Sequence, residues 1–274
     1  MKLALLVALT MVAFAANSVL NRLGVADGMT DPASFAALRL LSGALALTAL
    51  ALGSGKRISL WGRSRLIGAG SLAVYMIGFS LAYLTLDAGV GALILFGGVQ
   101  ITIFTVVMFR GEPLPRARWQ GAGLAMIGLA YLLLPGAQAP DFGGALLMGI
   151  AAIGWGVYTL AGRTETDALA ATTGNFIIAT VAMAACLFLV PGTPQISLSG
   201  AVYAVISGVV TSAMGYALWY RLLPQLEASI AGIAQLTVPV IALAGGMIFL
   251  GEAVTFSFVL ASILVLGGVA WSLR

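Results

Sequence analysis

Gly78-Phe-Ser-Leu-Ala-Tyr83 returns as Gly215-Tyr-Ala-Leu-Trp-Tyr220, 137 positions later in a chain of 274 residues. Phe109-Arg-Gly-Glu-Pro-Leu114 returns as Phe249-Leu-Gly-Glu-Ala-Val254 after 140. A third, weaker match sets Phe14, Asn17, Ser18 and Arg22 against Trp155, Tyr158, Thr159 and Arg163, each 141 further on. The period is half the chain, so 1–137 and 138–274 read as two copies of one unit.

Composition says where such a unit lives. Hydrophobic residues make up 61% of the chain and charged ones 8%, whereas about a quarter of a soluble domain is charged. Backbone polar groups inside lipid must be satisfied by a helix or a closed barrel, and the long charge-free runs match helices, not alternating strands. Crossing ~30 Å of hydrocarbon takes roughly 20 apolar residues. Ten such runs occur, at 3–22, 33–52, 66–86, 90–109, 118–135, 142–162, 169–190, 198–220, 228–250 and 254–273. Pro191-Gly-Thr-Pro194 divides the uncharged stretch from Ala168 to Tyr220 into two, because proline removes a donor and restricts the residue before it. The expected fold is therefore an all-α polytopic membrane protein with ten transmembrane helices.

Charge placement tests that count, since cytoplasmic loops concentrate Lys and Arg. With the amino terminus inside, Lys2, Lys56, Arg57, Arg63, Arg65, Arg110, Arg116, Arg118, Arg163, Arg221 and Arg274 share one side. Arg22 lies at the opposite end of a helix and Arg39 within one. This predicts a multi-pass protein of a bacterial-type cytoplasmic (inner) membrane, with both termini cytoplasmic. The formal charge of +4 then reports topology and does not point to nucleic acid. Lys2, an apolar run and Ala13-Phe-Ala15 also resemble a secretory signal with a small-x-small cleavage site. The counterparts that the repeat gives Phe14 and Asn17 argue for retention.

Five spans per copy is an odd number, so equivalent helices cross the membrane in opposite directions. The two copies form inverted repeats related by a pseudo-two-fold axis in the membrane plane, the geometry of alternating access, with a substrate site expected near the midplane.

Ten spans, two five-helix halves and Phe-x-Gly-Glu closing the fourth and ninth resemble the drug/metabolite transporter superfamily, and its EamA-type branch most. Pro32 with Arg39 in Phe35-Ala-Ala-Leu-Arg39, and Pro239 in Gln235-Leu-Thr-Val-Pro239, belong to the same likeness, which covers essentially the whole chain. The resemblance implies export of amino acids, other metabolites or drugs, with the first, third, fourth, sixth, eighth and ninth helices around the cavity. The aromatic interior is most similar to that of an aromatic amino acid exporter. Val99 stands where the second half has Pro239, so the two halves need not bend equally.

Absences narrow the chemistry. There is no His, and Asp27, Asp31, Asp87, Glu112, Asp141, Glu165, Asp167, Glu227 and Glu252 all fall at helix ends or in loops. Zinc-protease motifs, Ser-His dyads, intramembrane aspartyl pairs and Asp-rich magnesium sites are excluded, so neither an enzyme nor a metal or other cofactor is expected. Proton-driven transporters usually carry the proton on an intramembrane Asp, Glu or His. Its absence points to facilitated diffusion, with sodium coupling through backbone carbonyls left open.

An amide in hydrocarbon needs a partner or a wet cavity, which singles out Asn17, Gln100 and Gln235 as substrate-binding candidates, with Thr237 beside the last. Asn175 reads as structural. Tyr75, Phe79 and Tyr83 lie four apart on one stripe of the third helix. Phe14, Tyr75, Phe79, Trp155, Tyr158 and Tyr216 form an expected aromatic wall, with hydroxyls to orient a polar end. Tyr83 and Tyr220, near helix ends, read as packing. Gly97, Gly98 and Pro239 are gating or hinge candidates. Arg39, about six residues or ~9 Å into its helix, either meets a substrate carboxylate or, as the structural reading has it, snorkels toward the interface or binds helix-end carbonyls. Glu112 and Glu252 are expected to cap the following helix or pair with an Arg. Cys186 is a lone apolar filler.

The expected activity is export of aromatic or other hydrophobic amino acids and related small metabolites, with a small-molecule substrate and the lipid bilayer as partners. The alternatives are a multidrug or lipophilic-cation exporter and a non-transporting membrane scaffold. Nothing in the sequence sets the oligomeric state.

Overall fold

The computed structural model describes residues 2–110, 115–134, 139–162, 165–189, 194–222, 225–226 and 234–272. Gly111, Glu112, Arg163, Pro191, Glu227 and Arg274, and the side chains of Asp27, Cys186 and Tyr220, lie outside them.

The chain is an α-helical polytopic membrane protein. Its helices are α1 (Lys2–Val25), α2 (Pro32–Gly53), α3 (Arg63–Ala82), α4 (Ala88–Phe109), α5 (Arg116–Leu132), α6 (Phe142–Gly162) and α7 (Ala168–Leu189). Then α8 (Leu198–Ile206) runs through a π-helical stretch, Ser207–Met214, into α9 (Gly215–Leu222). After these come α10 (Val238–Leu250) and α11 (Phe256–Ser272). Among the described residues, seven stretches are long and apolar enough to cross a membrane, counting Leu198–Trp219 as one. Leu45, Ile153, Val181, Ile248 and Ile263 are exposed on their outer faces, where lipid tails would cover them.

Helix starts follow from polar residues at the ends of the apolar runs, where backbone N–H groups lack partners. Asp31 accepts from the Ser34 amide at 2.9 Å ahead of α2, with Pro32 in the first turn. Asp141 does this for α6 through Gly144, Asp167 for α7 through Ala170, Ser197 for α8 through Gly200 and Thr255 for α11 through Phe258. The ninth span departs from its expected 228–250. Among the described residues a turn at Leu236 and Thr237 precedes α10, and Pro239 sits in its first turn, where a missing N–H costs no intrahelical bond. At the far end Gly251, at φ 68°, ends the helix in the left-handed region.

Packing is reciprocal between the halves. α3 lies on α6 while α1 lies on α8, the π stretch and α9; α4 lies on α6 while α1 lies on α10. α2 packs on α8 and the π stretch, and α7 on α3. α5 with α11, α2 with α7 and α4 with α10 pair across the halves directly. Glycine permits the closest approaches: a Cβ on Gly98 would meet Ala152 Cβ at 2.7 Å, and one on Gly97 would meet Val265 Cγ1 at 2.9 Å. Both hinge candidates in α4 are therefore points where helices touch.

Loop contacts sort into two sets, as alternating spans require. On one face Lys56 pairs with Asp167, Arg65 with Glu165, and Trp271 Nε1 donates to Gln120 Oε1 at 3.0 Å. On the other, Asp31 accepts from the Gln195 amide, Thr85 donates to Asp141, and Arg22 Nη1 donates to the Tyr83 and Leu84 carbonyls, each at 2.8 Å. Arg22, the one charge at the wrong end of a helix in the sequence, is held there by the free carbonyls ending α3.

Candidate functional site

A narrow cleft lies between the halves, with room for about one water molecule, about 10 Å³. From the first half α1 supplies Phe14, Asn17 and Ser18, α3 supplies Tyr75 and Phe79, and α4 supplies Leu95 and Phe96. From the second, α6 supplies Trp155 and α9 supplies Tyr216. Trp155 is its centre. The ring lies 4.9 Å from Tyr75, 4.9 Å from Tyr216 and 6.4 Å from Phe14, centroid to centroid. Tyr158 stacks behind it at 5.4 Å. Phe14 in turn meets Tyr216 and Trp219 edge-on, the geometry that aromatic quadrupoles favour. Typical small-molecule sites hold roughly 300–1,000 Å³, far more than this packing leaves, so a ligand would require the rings to part.

Asn17 and Ser18 give the cleft a polar edge, and buried hydroxyls stand behind Asn17. The Asn17 Oδ1 atom is within reach of three hydroxyls of the π stretch, Ser207 at 2.8 Å, Ser212 at 3.3 Å and Thr211. The wider i→i+5 turn of a π helix brings Ser207 and Ser212 to the same face. Ser212 Oγ also accepts from Arg39 Nε at 3.0 Å, and Arg39 Nη2 donates to the Tyr75 hydroxyl at 3.3 Å. A continuous polar chain thus joins α1, the π stretch, α2 and α3. Arg39 is wholly buried and its guanidinium lies over Tyr75 and Phe79, 5.6 and 5.2 Å from their centroids. It neither snorkels to the interface nor binds helix-end carbonyls, because hydroxyls and ring faces hold it in the core.

Polar contacts join the two halves at both faces of the bundle. On the face carrying Lys56, buried Arg65 pairs with Glu165 and donates to Asn175 Oδ1 and the Ala171 carbonyl. Asn175 thus makes a helix-to-helix hydrogen bond, joining α7 to α3. Lys56 Nζ sits 2.9 Å from Asp167 Oδ2, and its hydrogen bond holds the Asp167 carboxyl below the usual carboxylate range. On the opposite face Asp31 and Thr30 join the segment at 195–197.

Of the expected substrate contacts, Phe14, Asn17, Tyr75, Phe79, Trp155 and Tyr216 line the cleft together, with Tyr158 directly behind. Gln100 is half-buried on α4 outside the lining, as is Gln235 before α10. Thr237 is exposed and donates to the Ala234 carbonyl at 2.6 Å. Tyr83 packs at the end of α3, its hydroxyl donating to the Ala88 carbonyl. Sequence reading missed Ser207, Thr211 and Ser212. Hydroxyls in a helix bond to their own backbone, so they carry no sign of need. Glu252 corrects another expectation: both its oxygens accept from the Ala88 amide at 2.9 Å, so it caps α4 and not the helix that follows it. Burial raises its carboxyl above the ordinary glutamate value.

A helical membrane bundle enclosing an aromatic cleft between packed halves is the architecture of a transporter. The chain belongs to the EamA-like transporter family: the family model matches residues 142–274, and an uncharacterized protein of Pseudomonas aeruginosa is 46% identical over 97% of this chain and 92% of its own. A probable terminal-alkyne amino-acid exporter of Streptantibioticus cattleyicolor is 25% identical over 68% of this chain and 64% of its own. A crystal structure 20% identical, covering 96% of each chain, superposes with a TM-score of 0.66.

Proposed function

We propose that the chain is an inner-membrane exporter of amino acids, aromatic or other hydrophobic ones foremost, working by alternating access between two inverted five-helix repeats, 1–137 and 138–274. The observation that carries this reading is the cleft around Trp155, built from α1, α3 and α4 of one half and α6 and α9 of the other. An apolar, stackable wall beside Asn17, Ser18 and the tyrosine hydroxyls suits a molecule with one greasy and one polar end. The reciprocal packing of the halves supports their exchange of conformations. The amino-acid exporter among the relatives supports the substrate class. A lipophilic-cation exporter is disfavoured by the buried Arg39, which repels cations from the same cleft.

The mechanism is facilitative, since no acidic residue among those described lies inside a span to carry a proton. Both termini lie in the cytoplasm, so the Lys56 and Arg65 face is the cytoplasmic one. The test is radiolabelled phenylalanine and threonine flux in proteoliposomes, with and without an imposed pH gradient. Saturable flux that favours phenylalanine and ignores the gradient is the expected result. Gradient-dependent flux removes the facilitative mechanism, and absence of flux removes the amino acid reading.

A further inference from the structure

Arg39 is a cation in the middle of the bundle, with no anion beside it among the described residues. Both ion pairs among the described residues, Lys56 with Asp167 and Arg65 with Glu165, lie at one membrane face. An arginine does not shed its proton, and an unpaired buried charge is costly, so a protein retains one where something compensates it. Ser212, Tyr75 and the faces of two rings compensate in part, yet all are neutral, and Nη1 has no hydrogen-bond partner among the described residues.

The guanidinium does not itself line the cleft; Tyr75 does. Tyr75 Oη accepts from Arg39 Nη2, and an oxygen accepting from a guanidinium turns its own hydrogen away from that cation. Because Tyr75 lines the cleft, that hydrogen is available to an acceptor there, polarised by the charge behind it. Tyr216 stands on the same wall, interacting with both Arg39 and Tyr75.

We propose that Arg39 is a positioning residue that makes Tyr75, with Tyr216 beside it, a donor site for a carboxylate, so that the cleft selects apolar carboxylates over matched amines and alcohols. The aromatic cage around Trp155 takes the apolar part, and the carboxylate supplies the anion that Arg39 lacks. This rests on the cleft being the substrate site, and it narrows the substrate to one whose charged end is an acid.

The experiment is thermal unfolding of the purified full chain in detergent with 3-phenylpropanoate, 3-phenylpropylamine and 3-phenylpropan-1-ol, which share one ring and one chain length. A ligand that binds only the native state raises the midpoint. Stabilisation by the acid at concentrations about tenfold lower than by the amine or alcohol is expected, the advantage of a charge-assisted bond. Tyr75→Phe and Arg39→Gln should erase the preference for the acid, and Arg39→Lys should restore part of it. Equal stabilisation by all three, stabilisation by none, or acid preference surviving in Arg39→Gln would overturn the proposal. Should Arg39→Gln fail to fold, the ligand series on the wild type and Tyr75→Phe still decide. Acid preference without any phenylalanine flux would sink the amino acid reading and leave the carboxylate site standing.

Discussion

Lys56 Nζ lies 2.9 Å from Asp167 Oδ2, joining the loop after α2 to the loop before α7 across the two halves. Beside it Arg65 makes the same kind of bridge to Glu165, but their side chains are 5% and 22% exposed where those of Lys56 and Asp167 are 44% and 37%. Exposure decides their worth. A solvated pair contributes little, whereas losing one partner of a buried pair strands the other. Glu165→Gln should therefore loosen this face and Asp167→Asn should not. With Cys186→Ala as background, Ala161→Cys reports on the pocket that Ala161 lines together with Arg65 and Glu165. Its labelling by an impermeant maleimide should speed up severalfold in Glu165→Gln and stay near wild type in Asp167→Asn. Equal rates in both variants would mean that the buried pair is not the latch.

The Asp167 pair also has a pH signature. Its folded-state pKa is depressed, first by the hydrogen bond from Lys56, so its contribution is present above the unfolded value and is lost only as pH falls through the lower folded one. Between about pH 5 and pH 8 the ratio of Ala161→Cys labelling rates with and without Asp167→Asn should stay flat.

Glu252 runs the opposite way. Burial raises its pKa, so the stability linked to this group is fully present below the ordinary glutamate value and is lost as pH rises through the folded one. The unfolding midpoint should fall over the window just above the ordinary value, and Glu252→Gln should flatten that step. Glu252→Ala removes the acceptor for the Ala88 amide and should cost about 1 kcal/mol, as the loss of a helix cap does. A midpoint that rises through this window would show that the capping bond outweighs burial.

How far the sequence reached depends on whether a residue's role is set by spacing or by rotation. The aromatic cage was legible because Tyr75 and Phe79 share one helix face and the half-chain offset pairs Phe14 with Trp155. Depth along a helix was legible too, and it placed Arg39 well inside α2. Which way its long side chain turns was not, since that depends on Ser212 and Tyr75 arriving from two other helices. Ser207, Thr211 and Ser212 meet Asn17 only in a π register, and composition leaves no mark of that. Glu252 misled for a related reason. The nearest helix start in the chain is α11, but the nearest in space is α4.

Trp155 separates a transporter from a scaffold. It is 8% exposed at the centre of the cage, and truncating a buried Trp to Ala typically costs about 3–5 kcal/mol. Trp155→Phe keeps an apolar ring with a smaller cavity, so it should fold while losing part of the stacking on Tyr75 and Tyr216. A KM for phenylalanine raised severalfold in Trp155→Phe, with the unfolding midpoint little changed, is the expected result. Unaltered flux in a folded Trp155→Phe would remove Trp155 from the substrate site.

Gly98 and Ala152 test whether α4 and α6 must stay in contact. A Cβ at Gly98 would come within 2.7 Å of Ala152 Cβ, closer than two carbons pack, so Gly98→Ala forces the helices apart or tilts one of them. Overpacking of this kind costs typically 1–3 kcal/mol. The offending atom is a single methyl group, so Ala152→Gly should remove the clash. In a double-mutant cycle Gly98→Ala should destabilise, and Gly98→Ala with Ala152→Gly should recover most of the loss, because contacting residues are not additive. Each half gives one helix to this contact. If it is carried intact through transport, the paired variant should recover flux along with stability. Recovered stability without flux would mean that α4 and α6 slide on each other in the cycle, and that the altered shape of the contact obstructs them.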